Sequence, residues 1–250
     1  MEKNYSARID FKEIFGNLKK VYLFIFAITG FGVLNFHSQT YTFTTAGATG
    51  RLGPTQGAIT TAYFGTNLQG SVVATAGIQS FTIPVAGNYR VQARGAQGGG
   101  AQGGFAANIE GDFVFAANDV IRVVVGQQGI TQSGEPNACG GGGGSYVMIG
   151  TGNLLSNILV IAGGGGGSAA TYSVSRHASI TNTGNWGAGV DNTDGAPGTG
   201  GNGGNKSVSA NSLDRGAAGG GFLTDGQSIG QTAGAANGGS SFINGSNGGS

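Results

Sequence analysis

The sequence predicts an all-β protein, a jelly-roll or sandwich module followed by a glycine-rich region, and three observations predict it. Short apolar runs alternate with polar residues at a period of two, as in FTIPVAGNYRVQA (residues 81–93), because successive strand side chains point to opposite faces. Turn-forming Gly, Asn and Pro separate those runs, and no 3.6-residue periodicity appears after residue 40. Finally, Gly supplies 54 of 250 residues and gathers in runs from residue 95 onward, where side chains cease to carry the pattern.

The first 39 residues stand apart. Lys3, Arg8, Lys12, Lys19 and Lys20 outweigh Glu2, Asp10 and Glu13, and the apolar run VYLFIFAITGFGVL (21–34) follows. An apolar run of 14 residues after a positive leader fits a secretory signal peptide better than a spanning helix, which needs roughly 20. Cleavage is expected near Ser38 to Thr40, which would make the mature chain extracellular or cell-surface. From Thr40 onward seven Lys and Arg face eight Asp and Glu, a balance that offers no footprint for nucleic acid or an anionic membrane. A membrane association is expected only through export or an anchor outside this chain.

In chain order, strands are expected at 41–45, 71–74, 79–85, 89–94, 105–109, 112–115, 120–126, 145–149 and 154–162. Gly47, Gly50 and the Gly53-Pro54 pair read as excluding a helix from 41–65. The β module is assigned to 40–135 and the glycine-rich region to 136–250. Large apolar residues number 36 between 40 and 161 but only 12 beyond. At roughly 1.5–3 kcal/mol each, those 12 cannot offset ordering 89 backbones at about 1 kcal/mol or more apiece. The last third is therefore disordered or held by backbone groups.

Glycine spacing favours the second. Gly195, Gly198, Gly201 and Gly204 recur every third residue, and Gly95, Gly98 and Gly104 keep the same phase with Ala101 substituting once. A period of three matches polyproline-II geometry, and segments without Cβ atoms can pack side by side through backbone hydrogen bonds. The pattern runs on to Ser250, so further glycine helices or an export-linked anchor are expected beyond it.

Chemistry-bearing residues are sparse. LVIAGGGGGS (159–168) resembles the start of a dinucleotide loop, but SAATYSVSR follows where a helix must stand, and Ser168 occupies the third Gly position. GGNGGNKS (200–207) nearly spells a phosphate-binding loop, yet Asn205 replaces the Gly before Lys206. Cys139, the only cysteine, and His177, the only histidine after residue 40, lack any nucleophile–base spacing. Asp191 and Asp194 miss the calcium-loop spacing and read as turn caps, while Trp186 reads as a packing residue. No catalytic, cofactor or metal residue is assigned, and no ligand-binding residue either.

AGATGRLGPTQ (46–56), GIQ (77–79), VVVGQQG (123–129) and LVIAGGGGG (159–167), in this order, resemble the membrane-proximal extracellular region of the anaplastic lymphoma kinase and leukocyte tyrosine kinase receptors. The resemblance spans about 41–250 and implies a tumour-necrosis-factor-like β module set against packed polyglycine helices. Similar segments occur in bacterial secreted proteins, which the leader also resembles. The receptors carry a Cys where this chain has Ala46, and most of their other disulfide cysteines are missing. No kinase loop, HRD or DFG motif is present, so a non-enzymatic protein is expected. The leading expectation is adhesion to, or recognition of, a protein or glycan at a cell surface; a structural spacer or matrix element and a receptor ectodomain remain open beside it.

Overall fold

A computed structural model describes residues 39–101, 103–130, 140–167, 177–185, 195–206, 218–228 and 238–244. It is mostly β-sheet with one short α-helix. The strands are β1 (Val72–Thr75), β2 (Ile78–Thr82), β3 (Gly87–Arg94), β4 (Asn108–Phe115), β5 (Val120–Val124), β6 (Ser145–Ile149) and β7 (Ile158–Ala162). Five form an antiparallel sheet in the order β1-β2-β5-β6-β7, and β3 pairs with β4 in a second sheet.

Alternation decides which side chains meet. Phe81, Ile121, Val123, Val147, Val160 and Ala162 share a core with Tyr89, Val91, Ala93, Ile109, Phe113 and Phe115 from the two-stranded sheet, so the sheets pack face to face. On β3 and β4 the opposite positions are exposed, and there Arg90 pairs with Asp112 at 2.8 Å. A register shift between Val147 and Met148 lets Leu159 and Val160 both contribute to this core. The reverse face of the large sheet carries Val124, Tyr146 and Met148, covered by Phe222 and Phe242. The sheet thus has a core on each side, which is why β6 reads SYVMI with no polar residue after Ser145.

Several sequence expectations are corrected. Residues 41–45 form no strand; Tyr41 and Phe43 instead set their rings against Phe81, with centroids 4.7 and 5.8 Å away. A helix, α1 (Gln56–Ala62), occupies part of the stretch read as helix-free. Its breakers all precede it. Thr55 takes the extended N-cap conformation and its Oγ1 accepts from Ala58 N at 3.3 Å, while Ile59 and Tyr63, four apart, bury one face. The runs 105–109 and 112–115 merge into β4, which continues through Gly111 opposite Val91. Residues 154–162 divide into a 3-10 turn (Leu155–Asn157) and β7. Strands β6 and β7 lie beyond position 135, where the β module was drawn to end, yet pair into its sheet.

Glycine segments leave the strand ends and bond to one another. In the set following β3, β5 and β7, Ala96 N donates to Gly143 O (2.9 Å), Gly104 N to Gly166 O (2.8 Å), Gly142 N to Gly165 O (2.7 Å) and Gly165 N to Ala96 O (2.9 Å). Ser145 roots this set: its buried hydroxyl donates to Arg94 O (2.6 Å) and accepts from Gly126 N (2.9 Å). A second set lies further along the chain, where Gly204 N donates to Gly219 O (3.1 Å), Gly226 N to Gly239 O (2.9 Å) and Gly239 N to Ala218 O (3.0 Å). The backbone N–H groups of Gly95, Gly98, Gly104 and Gly204 all donate to carbonyl oxygens, and a Cβ at Gly98 or Gly195 would collide with the carbonyl oxygen of Gly166 or Asn205.

Candidate functional site

A concave feature of the described surface lies between α1 and β1. Gly53 makes it possible: its backbone packs directly against that of Gly77, which sits at φ +81°, so neither position has room for a Cβ. That contact and the Thr55 cap hold α1 beside the outer strand β1. Ile59, Tyr63, Leu68 and Val72 then form the floor of a groove of about 220 Å³. On its rim Phe64 is 77% exposed and Val73 61% exposed. No charged residue lines it.

Two glutamines complete the site. Gln56 lies along β1, its Oε1 accepting from Ala74 N (2.7 Å) and its Nε2 donating to Val72 O (3.2 Å). Gln79 is fully buried beneath Tyr63; it accepts from the Tyr63 hydroxyl (2.6 Å) and donates to Thr44 O (2.8 Å). Neither role is signalled by local sequence pattern. The strings AGATGRLGPTQ and GIQ contain Gly53, Thr55, Gln56, Gly77 and Gln79, all of which serve this one packing junction.

Elsewhere, Arg122 and Asp225 serve the scaffold. Arg122, on the reverse face of β5, donates to Gly150 O (2.7 Å), to Gly152 O and to Asn153 Oδ1 (2.8 Å), and lies 5.6 Å from the Phe242 ring centroid. Burial lowers its pKa. Asp225 accepts from Ser241 N (2.6 Å) and Asn244 Nδ2 (2.9 Å), and the backbone bond first, then the Asn244 bond, hold its carboxyl below the usual value. Tyr146, sealed under Phe242, has its phenol pushed up to about 12 by burial.

Of the residues weighed for chemistry, His177 lies among the described ones. His177 Nδ1 accepts from Phe105 N (2.8 Å) and its ring stacks on Phe105, a structural use; Cys139 lies outside the described residues, as do Ser168, Trp186, Asp191 and Asp194. After β7, a Cβ at Gly164 or Gly165 would strike the carbonyl oxygen of Gly142 or Gly104, so the run that resembles a nucleotide loop is filled by its neighbours and has no cradle for a phosphate. Near Asn205 and Lys206, Gly200 and Gly201 form a turn and Asn205 N donates to Ala196 O (2.8 Å), so the second phosphate-loop lookalike is also a packed turn. Ala46 packs at the margin of the main core. Among the described residues no three His, Cys, Asp or Glu gather where they could hold a metal, and no helix is long and apolar enough to cross a membrane.

Fold and site together define an all-β domain whose sheet is flanked by backbone-bonded glycine segments. No family model matches the chain. It is 34% identical over 110 residues to the leukocyte tyrosine kinase receptor of Mus musculus, an alignment covering 41% of this chain and 12% of that receptor. The chain thus spans a small fraction of the relative it matches.

Proposed function

We propose that the chain is a non-enzymatic, extracellular recognition or adhesion module. In this reading the glycine segments are polyproline-II-type helices packed as a bundle, and the β sheets and glycine tips form a rigid platform that presents loops to another surface. The observation that carries it is the glycine ladder: segments following three different strands bond to one another, as Ala96, Gly142, Gly165 and Gly166 do, so the connecting segments are cross-linked where ordinary loops would be independent. Each bond nets only about 0.5–1.5 kcal/mol, but many form together. The likeness to a receptor supports recognition over catalysis.

The test is binding of the purified chain to intact cells and to a glycan panel. Saturable binding to one of them is expected. A chain that binds none is no recognition module, and the spacer or matrix reading would take its place.

A further inference from the structure

We propose that the outer edge of β1 and the groove beside it bind an extended peptide segment of a partner protein. The peptide backbone would take the place of the Gln56 amide, and one of its uncharged apolar side chains would fill the groove. This deepens the recognition reading, and rests on it, by naming a site and a class of partner.

The occupant's chemistry is read from what sits there now. Strand β1 ends the five-stranded sheet, so its outward backbone groups need partners. Val72 O and Ala74 N are met by a single side-chain carboxamide. A carboxamide carries the same donor and acceptor as a peptide group. Val72 O and Ala74 N flank Val73, so they form the pair that one residue of an added parallel strand would satisfy with its own N–H and C=O. Gln56 is exposed and loses rotamer freedom by holding this pose, which makes it a displaceable stand-in and not a permanent seal.

The groove adds selectivity. A main-chain ladder supplies affinity in strand addition, while pockets for alternate side chains supply specificity. Here the pocket is next to the edge, floored by Ile59, Leu68 and Val72 and rimmed by the exposed Phe64 and Val73. With no charge in its lining, it favours a neutral apolar side chain. Strand β4 offers a contrast, because its exposed positions include Glu110 and Asp112. A second copy of β4 approaching that edge would set acid against acid, which disfavours pairing.

The experiment selects phage-displayed random heptapeptides on the full chain and measures the winners by titration calorimetry. Gln56→Ala removes the competing amide and should tighten binding about tenfold, the value of one to two released hydrogen bonds; a gain of affinity cannot come from misfolding. Thr60→Trp fills the groove from the exposed helix wall and should weaken binding by at least about tenfold. Failure to select any peptide that binds wild type or Gln56→Ala overturns the proposal. So does equal affinity for wild type and both variants. If the chain binds cells or glycans, and Thr60→Trp leaves that binding intact while no peptide is selected, the groove is refuted and recognition through another surface stands.

Discussion

At Gly165 the backbone leaves no room for a side chain. Its N–H donates to Ala96 O, its C=O accepts from Gly142 N, and an added methyl would meet the Gly104 carbonyl. Gly165→Ala must therefore part three segments, and should cost about 1–3 kcal/mol in urea unfolding, as overpacking does. Gly219 has open space at its Cβ position and no positive φ, so Gly219→Ala should stay within about 0.5 kcal/mol. The sequence marked both residues only as glycine; which of them face a carbonyl is a property of the neighbouring segment, invisible to spacing along one strand. Tyr146 gives a second residue-scale test. Its folded-state pKa of about 12 exceeds the ordinary phenol value of 10.0, so its contribution to stability is complete below pH 10.0 and is lost as pH rises through about 12. Tyrosinate absorbance should show the Tyr146 phenol ionising after the exposed ones, together with unfolding; full ionisation of all tyrosines with the fold intact would contradict the burial of Tyr146 under Phe242.

Among elements, legibility tracked whether order is local. Strands β3, β5 and β6 follow from alternation or apolar runs, because a buried face imposes a period of two whatever its partner. Helix α1 was missed because only seven residues long, with Gly57 inside it, it carries too few turns for periodicity, and its stability comes from Ile59 and Tyr63 packing on the sheet. The segment 41–45 has strand-like alternation, yet Thr44 spends its N–H and C=O on the Tyr63 hydroxyl and Gln79 amide, long-range partners that no window contains. The C-terminal third shows a third case. Counting apolar residues argued against a side-chain core there, and the structure uses two large anchors: Phe222 and Phe242 are 1% and 2% exposed, stacked with centroids 5.3 Å apart, and Phe242 reaches Tyr146. Phe242→Ala should cost about 3–5 kcal/mol and open residues 218–228 and 238–244 to limited proteolysis before the β sheets unfold. Equal protease resistance of variant and wild type would show that the glycine ladder holds these residues without the anchor.

For the molecule as a whole, the sheet's reverse face makes the glycine segments part of the core architecture. Side chains close the sandwich on one face, while on the other Phe222, Leu223 and Phe242 join Tyr146 and Met148, and backbone bonds supply the rest of the order. The period of three in the glycines was readable, and the phase Gly95, Gly98, Gly104 does fall on bonded N–H groups, whose acceptors are Ala107 O, Gly104 O and Gly166 O. Which segment pairs with which was not readable, because glycine carries no complementary surface to encode a partner. The groove was illegible for a related reason: Gln56 and Gly53 acquire their roles only from β1 and Gly77, which lie across a turn-rich stretch with no periodic signal.

The central claim is that backbone hydrogen bonds between glycine segments make a rigid scaffold, and amide hydrogen exchange on the full chain tests it most directly. Protection is expected at Gly104, Gly165, Gly204, Gly226 and Gly239, whose N–H groups donate to other segments, well above that at Gly219. Exchange of all these amides at random-coil rates would contradict it, and would leave the β sheets as the ordered part of a chain with flexible glycine tethers.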